Sequence, residues 1–148
     1  MIVYLDTSSL LKLYLLDEDG GDHVRQTLAT ADSAATSGIA YPEARAALAR
    51  RYRERRLSRQ AFESVRREFD VDWPFYFVVE PSAPLLKEAG DLAERHRLRA
   101  LDAIHLASFV ELARRDRGRP IDFSSFDARL NRAAASVIRS LKRARERE

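Results

Sequence analysis

Short apolar runs alternate with longer helix-like segments along this chain, and that alternation constrains the fold more than any other feature. Runs typical of strands occupy residues 2–5, 34–37, 75–79 and 121–126. Helical patterns cover residues 10–16, 23–29, 101–115 and 128–135. Three more begin at Pro42, Ser58 and Pro84, and the last two of these end at about 69 and 96. Strands that alternate with helices form a parallel sheet with helices on both faces. We therefore predict an α/β fold with three layers, α/β/α, around a central parallel sheet.

Length and composition narrow the class of protein. The 148 residues suit one domain, 1–148, whose charged end at about 139–148 we expect to be a frayed helix. No apolar run approaches the roughly 18 residues that span a bilayer, and the first residues form a strand rather than a signal peptide. The absence of cysteine excludes disulfides and thiolate chemistry. We expect a cytoplasmic protein without a membrane partner.

Arginine and lysine are concentrated in two segments, 50–56 and 139–147, within a chain of net charge +3. Clusters of this kind attract phosphate groups and raise association rates with nucleic acids. A solvated, arginine-rich helix face gives the same pattern. Neither cluster alone decides between these interpretations.

Four carboxylates stand at junctions where a strand-like run gives way to a helical pattern. In an open α/β sheet such junctions converge on one crevice, which is where ligands bind. Acids brought together there repel one another unless a cation holds them, and hard oxygen donors favour Mg²⁺ or Mn²⁺. The pattern therefore predicts metal-dependent phosphodiester chemistry. The four residues are Asp6, Glu43, Asp102 and Asp127.

Each acid also has a purely structural interpretation. Asp6 and Asp127 could simply cap the helices that follow them, and Glu43 could interact only with a helix dipole. Asp102 lies in an almost wholly apolar helix, which predicts a buried carboxylate that must pair, protonate or bind a metal; Arg99 is the available ion-pair partner. His105 lies one turn beyond Asp102 and could share a metal with it, although such a histidine is more often a core residue.

The chain resembles the PIN-domain ribonucleases, and most closely the toxins of VapBC toxin–antitoxin modules. Four segments, in the family's order and spacing, carry the resemblance: residues 4–14, 42–48, 101–107 and 126–134. It implies a PIN-like fold and a Mg²⁺- or Mn²⁺-dependent endoribonuclease, inhibited by a small cognate VapB-like antitoxin and commonly dimeric. It also implies one catalytic and metal-binding set, made of Asp6, Glu43, Asp102 and Asp127.

The resemblance implies supporting roles for four further residues. Hydroxyl groups of Thr7 or Ser8, and of Ser125, would orient the carboxylates. Arg45 would contact an RNA phosphate or an antitoxin carboxylate, or else form an internal ion pair. The chain departs from the family after residue 135, where a glycine-containing turn and a last short strand are not evident. Asp122 is a second departure, which indicates either an extra acid or an edge strand.

Other functions compete with the nuclease. An aspartyl phosphatase would need a second acid two residues after Asp6, where the chain has Ser8. A receiver-like signalling domain would need a phosphorylatable aspartate at the end of the central strand, where the chain has Glu80. A catalytically silent PIN-like domain would bind RNA or a protein partner without cleavage. A PIN nuclease in RNA processing would share the chemistry but not the toxin role.

Overall fold

A computed structural model describes residues 1–147 of the chain. The four strands are β1 (Ile2–Leu5), β2 (Ser33–Ser37), β3 (Phe77–Val79) and β4 (Ile121–Ser124). The helices are α1 (Thr7–Lys12), α2 (Gly21–Ala29), α3 (Ala40–Arg53), α4 (Arg59–Asp72), α5 (Ala83–His96), α6 (Ala100–Arg115) and α7 (Ala128–Arg145), and a 3₁₀ turn covers Trp73–Phe75. Strands and helices thus alternate as the sequence predicts.

The four strands form one sheet in the order β3-β2-β1-β4, and every neighbouring pair is parallel. Strand β1 lies inside the sheet, with Tyr4 opposite Ala35 on one side and Phe123 on the other. All four residues of β1 are buried, which explains why the segment is continuously apolar. The predicted α/β fold with a central parallel sheet is confirmed.

Two apolar cores cover the two faces of the sheet. Successive side chains of a strand point to opposite faces, so Val3 and Leu5 enter one core while Ile2 and Tyr4 enter the other. Helices α1 to α4 pack on the first face, and α5 to α7 pack on the second. The helices on both faces make the three predicted layers.

Helix α1 differs from its predicted range of 10–16. It begins at Thr7, because Asp6 itself is the N-cap and its Oδ1 accepts a hydrogen bond of 2.9 Å from the backbone N–H of Ser9. The helix ends at Lys12, before the apolar residues that favoured a longer element. Residues 13–14 form a turn, Leu15 is buried in the core and Leu16 is exposed.

Strand β3 is shorter than its predicted range of 75–79. Pro74 lies in a 3₁₀ turn that extends to Phe75, so only Phe77–Val79 pair with β2. Strand β4 likewise ends at Ser124 instead of 126, because Phe126 belongs to the connection to α7. These differences shift boundaries and leave the order of elements unchanged.

Residues 128–145 form one long helix, which takes in most of the charged C-terminal segment. Helix α7 continues ten residues past the predicted end at 135, and Arg145 Nη2 donates a 2.8 Å hydrogen bond to the carbonyl of Ala113 in α6. Within residues 1–147 no fifth strand joins the sheet, so β4 is an edge strand. Asp122 is accordingly exposed at that edge, as one of its two interpretations predicts. None of the helices in this part of the chain is both long and apolar enough to cross a bilayer.

Candidate active site

One open pocket of about 330 Å³ lies where the carboxyl ends of β1 and β4 meet the first turns of the helices. Its lining residues are Asp6, Thr7, Ser8, Glu43, Arg99, Asp102, His105, Phe126 and Asp127. The fold thus brings all four predicted acids to one surface, although they are far apart in sequence. Parallel strands make this possible, because their carboxyl ends share one edge of the sheet.

Asp6 is the most firmly held of the four acids. It is buried, and its Oδ1 accepts hydrogen bonds from the hydroxyl of Ser8 at 2.7 Å and from the backbone N–H of Ser9 at 2.9 Å. Its Oδ2 accepts a third bond of 2.6 Å from the hydroxyl of Ser125. Helix α1 and the β4–α7 connection therefore fix this carboxylate from two sides. The contacts of Ser8 and Ser125 agree with the orienting role that the resemblance implies.

Glu43 is anchored through one of its two oxygens. Its Oε1 accepts a 2.8 Å hydrogen bond from the hydroxyl of Thr7 and a 2.9 Å bond from Nε2 of His105. Burial raises the pKa of Glu43, but the bonds from His105 and Thr7 outweigh it and hold the pKa below its ordinary value. Glu43 is therefore ionised over the physiological range.

His105 connects the site to the core of the protein. It is 2% exposed, and its Nδ1 lies 3.0 Å from the hydroxyl of Tyr4, which is itself fully buried. A carboxylate only accepts hydrogen bonds, so Nε2 of His105 carries the proton that it donates to Glu43. The expectation of a buried core histidine is correct, and its contact with Glu43 was missed. The three-residue spacing from Asp102 already indicated that His105 shares the face of α6 that carries the acid.

Asp102 is less buried than the apolar pattern of its helix predicts. Only part of α6 is enclosed, with Leu101 47% exposed at its start. The side chain of Asp102 is 21% exposed. It forms an ion pair with Arg99, whose Nε lies 3.3 Å from Oδ2. Burial raises the pKa of Asp102. The hydrogen bond and charge of Arg99 lower it in part, and the negative charges of Asp127 and Asp6 raise it further. The prediction of a buried carboxylate is therefore corrected to a half-buried, paired one that its neighbouring acids repel.

Asp127 caps α7 and faces the pocket at the same time. Its Oδ1 accepts a 2.7 Å hydrogen bond from the backbone N–H of Leu130, and its own N–H donates to Ser125 at 3.0 Å. The structural and the functional interpretation of this residue are compatible, because the cap occupies only one oxygen. Oδ2 accepts no hydrogen bond from any residue between 1 and 147.

Arg45 lies outside the pocket. Its Nη1 donates a 2.6 Å hydrogen bond to the hydroxyl of Tyr41 and lies 3.7 Å from Asp70, and the same hydroxyl donates to Asp70 at 2.8 Å. Helices α3 and α4 are joined by this contact. The structure thus gives Arg45 the internal ion pair that was one of its alternatives.

The donor chemistry of the pocket fits a hard divalent cation. Its four acidic side chains offer oxygen ligands. One oxygen each of Glu43, Asp102 and Asp127 accepts no hydrogen bond from the described residues. Among residues 1–147, no three acids or histidines lie close enough together to surround an ion by themselves. Mg²⁺ does not require such a cage, because it usually binds one or two carboxylates and completes its shell with waters and substrate phosphate.

Comparison with known proteins identifies relatives of this chain. The model of the PIN domain family matches residues 3–136. Ribonuclease VapC45 of Mycobacterium tuberculosis is 38% identical over 107 residues, which cover 72% of this chain and 74% of the relative.

Two solved structures share the fold. VapC20 of Mycobacterium tuberculosis, described as a Sarcin-Ricin loop cleaving toxin, superposes with a TM-score of 0.64 at 18% identity and covers 88% of this chain and 94% of its own. VapBC2 from Rickettsia felis, bound to a DNA fragment from its promoter, gives a TM-score of 0.56 at 14% identity and covers 86% and 100%.

Proposed function

The chain belongs to the PIN-domain family and groups with the VapC ribonucleases, and from that premise we propose that it is the toxin of a toxin–antitoxin module, a Mg²⁺-dependent endoribonuclease. One observation carries the proposal: four carboxylates from four separate segments line a single open pocket at the end of the sheet. Burial, and to a smaller extent the charges of Asp127 and Asp6, raise the pKa of Asp102, and a bound cation would offset both costs of its ionisation.

We assign the metal to Asp6 and Asp102 first, with Glu43 and Asp127 completing the site directly or through water. When bound, Mg²⁺ (or Mn²⁺) would lower the pKa of a coordinated water and neutralise charge on the attacked phosphate. Three hydrogen bonds hold Asp6 in one orientation, which prepares its position before any ligand arrives. Thr7 and His105 hold Oε1 of Glu43 and leave Oε2 for the pocket.

The residues of the site do not offer a histidine base. Nε2 of His105 donates to Glu43, and Nδ1 contacts the buried hydroxyl of Tyr4, so both nitrogens are engaged within the protein and neither is free to take a proton from a substrate water. The remaining bases of the site are its carboxylates, so one of them would accept the proton of the attacking water. The proposed reaction is hydrolysis of the RNA phosphodiester with release of the 3′-oxygen.

The partners follow from the same assignment. We propose a small VapB-like antitoxin as the inhibitor, a homodimer as the functional unit, and one PIN domain over residues 1–148. The cytoplasm is the proposed site of action, because both the RNA substrate and the antitoxin are made there.

Cleavage of total cellular RNA tests the proposed function. We expect discrete new 5′ ends when the purified protein is incubated with RNA and Mg²⁺, and none when EDTA is present. Intact RNA at every Mg²⁺ and Mn²⁺ concentration, or equal cleavage in EDTA, would contradict it.

A further inference from the structure

We propose that a groove beside the acid pocket, lined by Arg99, Arg129 and Arg132, binds the phosphates of the RNA that flank the cleaved bond. This inference rests on the proposed function and adds to it the path of the substrate. We call this surface the arginine groove. It has a volume of about 460 Å³ and is completed by Asp102, Asp127 and Ala128.

The arginine groove is continuous with the acid pocket. Arg99, Asp102 and Asp127 line both, so a ligand that extends from the four carboxylates on this side enters the arginine groove. Arg129 and Arg132 come from the first turns of α7, three residues apart, and therefore share a face of the helix. Arg99 comes from a different element, as the residue that precedes α6.

The three guanidinium groups keep most of their binding capacity. Arg99 is 83% exposed on its side chain and uses only Nε toward Asp102. Arg129 donates from Nη1 to the carbonyl of Arg97 at 3.0 Å, which positions the side chain without neutralising its charge. Arg132 is exposed, and no carboxylate of residues 1–147 forms an ion pair with it. Guanidinium groups in this state bind phosphate oxygens strongly, often through two nitrogens at once.

A pocket of four carboxylates needs positive charge beside it if its substrate is RNA. The phosphate backbone carries a negative charge at every nucleotide, and the same acids that hold a cation repel the rest of the strand. Fixed positive charges beside the pocket offset that repulsion over the flanking nucleotides and set the direction of the chain.

The two basic clusters of the sequence are less suited to this role. In segment 50–56, Arg50 pairs with Glu54 and Arg51 pairs with Glu18, so part of the charge is compensated internally. Segment 139–147 occupies the other end of α7, a helix of 18 residues that is about 27 Å long. Of these three basic groups within residues 1–147, the arginine groove is the one that shares lining residues with the acid pocket.

RNA-binding measurements with matched arginine substitutions test the proposal. Arg132→Gln removes a charge without disturbing a hydrogen bond of the protein, and the double variant Arg129→Gln/Arg132→Gln removes two. Arg143→Gln is the control, since it is exposed on the same helix about 16 Å further along the axis. The probe is a fluorescein-labelled single-stranded RNA of mixed sequence, followed by anisotropy in EDTA at several salt concentrations. KM and kcat for cleavage are measured in Mg²⁺.

We expect Arg132→Gln to weaken RNA binding about 3- to 10-fold at low salt and to reduce the slope of log K against log salt by about 0.7, with a larger effect in the double variant. KM should rise while kcat stays close to that of the wild type, because flanking contacts bind ground state and transition state alike. Arg143→Gln should change neither quantity. Circular dichroism melts of all variants confirm that they are folded.

Contrary results separate this inference from the proposed function. If the wild type cleaves RNA and the double variant keeps its affinity, salt slope and KM, the groove assignment is wrong and the nuclease remains. If neither the wild type nor any variant cleaves RNA but the double variant loses affinity as expected, the groove assignment is supported and the proposed nuclease activity is wrong. Poly-glutamate is the last probe. If it binds as tightly as the RNA and is weakened equally by the double variant, the groove is a site for acidic protein segments, which overturns the proposal.

Discussion

Glu43 shows how one residue serves the site through its neighbours. Tyr4, His105 and Glu43 form a continuous chain of hydrogen bonds that runs from the buried sheet to the pocket, with distances of 3.0 and 2.9 Å. Because Tyr4 and His105 are buried, neither can turn away without leaving a polar group unpaired. This series of hydrogen bonds therefore fixes which oxygen of Glu43 faces the ligand.

Substitution of His105 tests this positioning role. His105→Leu removes the donor to Glu43 and should weaken Mn²⁺ binding about 10- to 100-fold, as is typical when a group that orients a metal ligand is lost. His105→Gln is the matched control, because its side-chain amide can reach the same oxygen, and it should retain most of the affinity. Calorimetric titration of Mn²⁺ into the RNA-free protein measures both. Equal affinity in the leucine variant and the wild type would show that Glu43 needs no support.

The opposite pKa shifts of two acids predict opposite effects on stability. The folded state raises the pKa of Asp102, so its ionisation lowers stability as pH rises above the ordinary pKa of an aspartate, and the loss is complete once pH exceeds the raised pKa. The folded state lowers the pKa of Glu43, so its contribution is present at neutral pH and is lost as pH falls below the ordinary value of a glutamate.

At pH 7 without metal, Asp102→Asn should therefore raise Tm by about 1–3 °C, and Glu43→Gln should lower it by a similar amount. Thermal denaturation followed by circular dichroism gives both values. The difference for Asp102→Asn should shrink as pH falls toward the ordinary pKa of an aspartate, and that for Glu43→Gln as pH falls below the ordinary pKa of a glutamate. A lower Tm for Asp102→Asn would mean that its ion pair with Arg99 outweighs burial and repulsion.

At the scale of elements, Asp127 has two separable tasks. Asp127→Ala removes the N-cap of α7 and should cost about 1 kcal/mol, which lowers Tm by about 2–4 °C. Asp127→Ser keeps an acceptor for the N–H of Leu130 and removes the carboxylate, so it should keep the stability and lose the RNA cleavage.

A second helix cap provides the control for Asp127. Ser82 caps α5 through the N–H of Leu85 and does not line the pocket, so Ser82→Ala should lower Tm without affecting cleavage. Cleavage at the wild-type rate by Asp127→Ser would assign Asp127 to the cap alone.

The elements themselves could be predicted where local and tertiary signals agree. Strand β1 and helix α6 are recognisable because long apolar runs are bounded by clear stop signals. Helix α1 was misplaced because Leu15 is buried by tertiary packing outside any helix. The end of α7 was missed because a charged sequence looks solvated, whereas Arg145 binds the end of α6 by a hydrogen bond that no local pattern encodes.

At the scale of the whole molecule, the parallel sheet brings together in one site four acids whose individual sequence signals are weak. The sequence could indicate that Asp6, Glu43, Asp102 and Asp127 stand at junctions, and the topology of parallel strands predicts that junctions meet. It could not supply the contact of His105 with Glu43, because that contact joins residues 62 positions apart, and the role of Ser125, 119 positions from Asp6, came from the family resemblance and not from spacing.

Metal binding should stabilise the whole fold. A cation that binds only the folded state raises Tm by mass action, and here it also relieves repulsion among the acids. We expect a rise in Tm with increasing Mn²⁺ in the wild type and a much smaller rise in Asp102→Asn. An identical rise in both proteins would place the cation elsewhere on the surface.

The rate of RNA cleavage by Asp102→Asn, compared with the wild type over a series of Mg²⁺ concentrations, tests the central claim most directly. This variant is expected to be at least as stable as the wild type, so a loss of activity cannot be attributed to unfolding. We predict a rate at least about 100-fold lower at every Mg²⁺ concentration, and no cleavage by either protein in EDTA. Cleavage by Asp102→Asn at the wild-type rate would contradict a metal-dependent nuclease site built on these carboxylates.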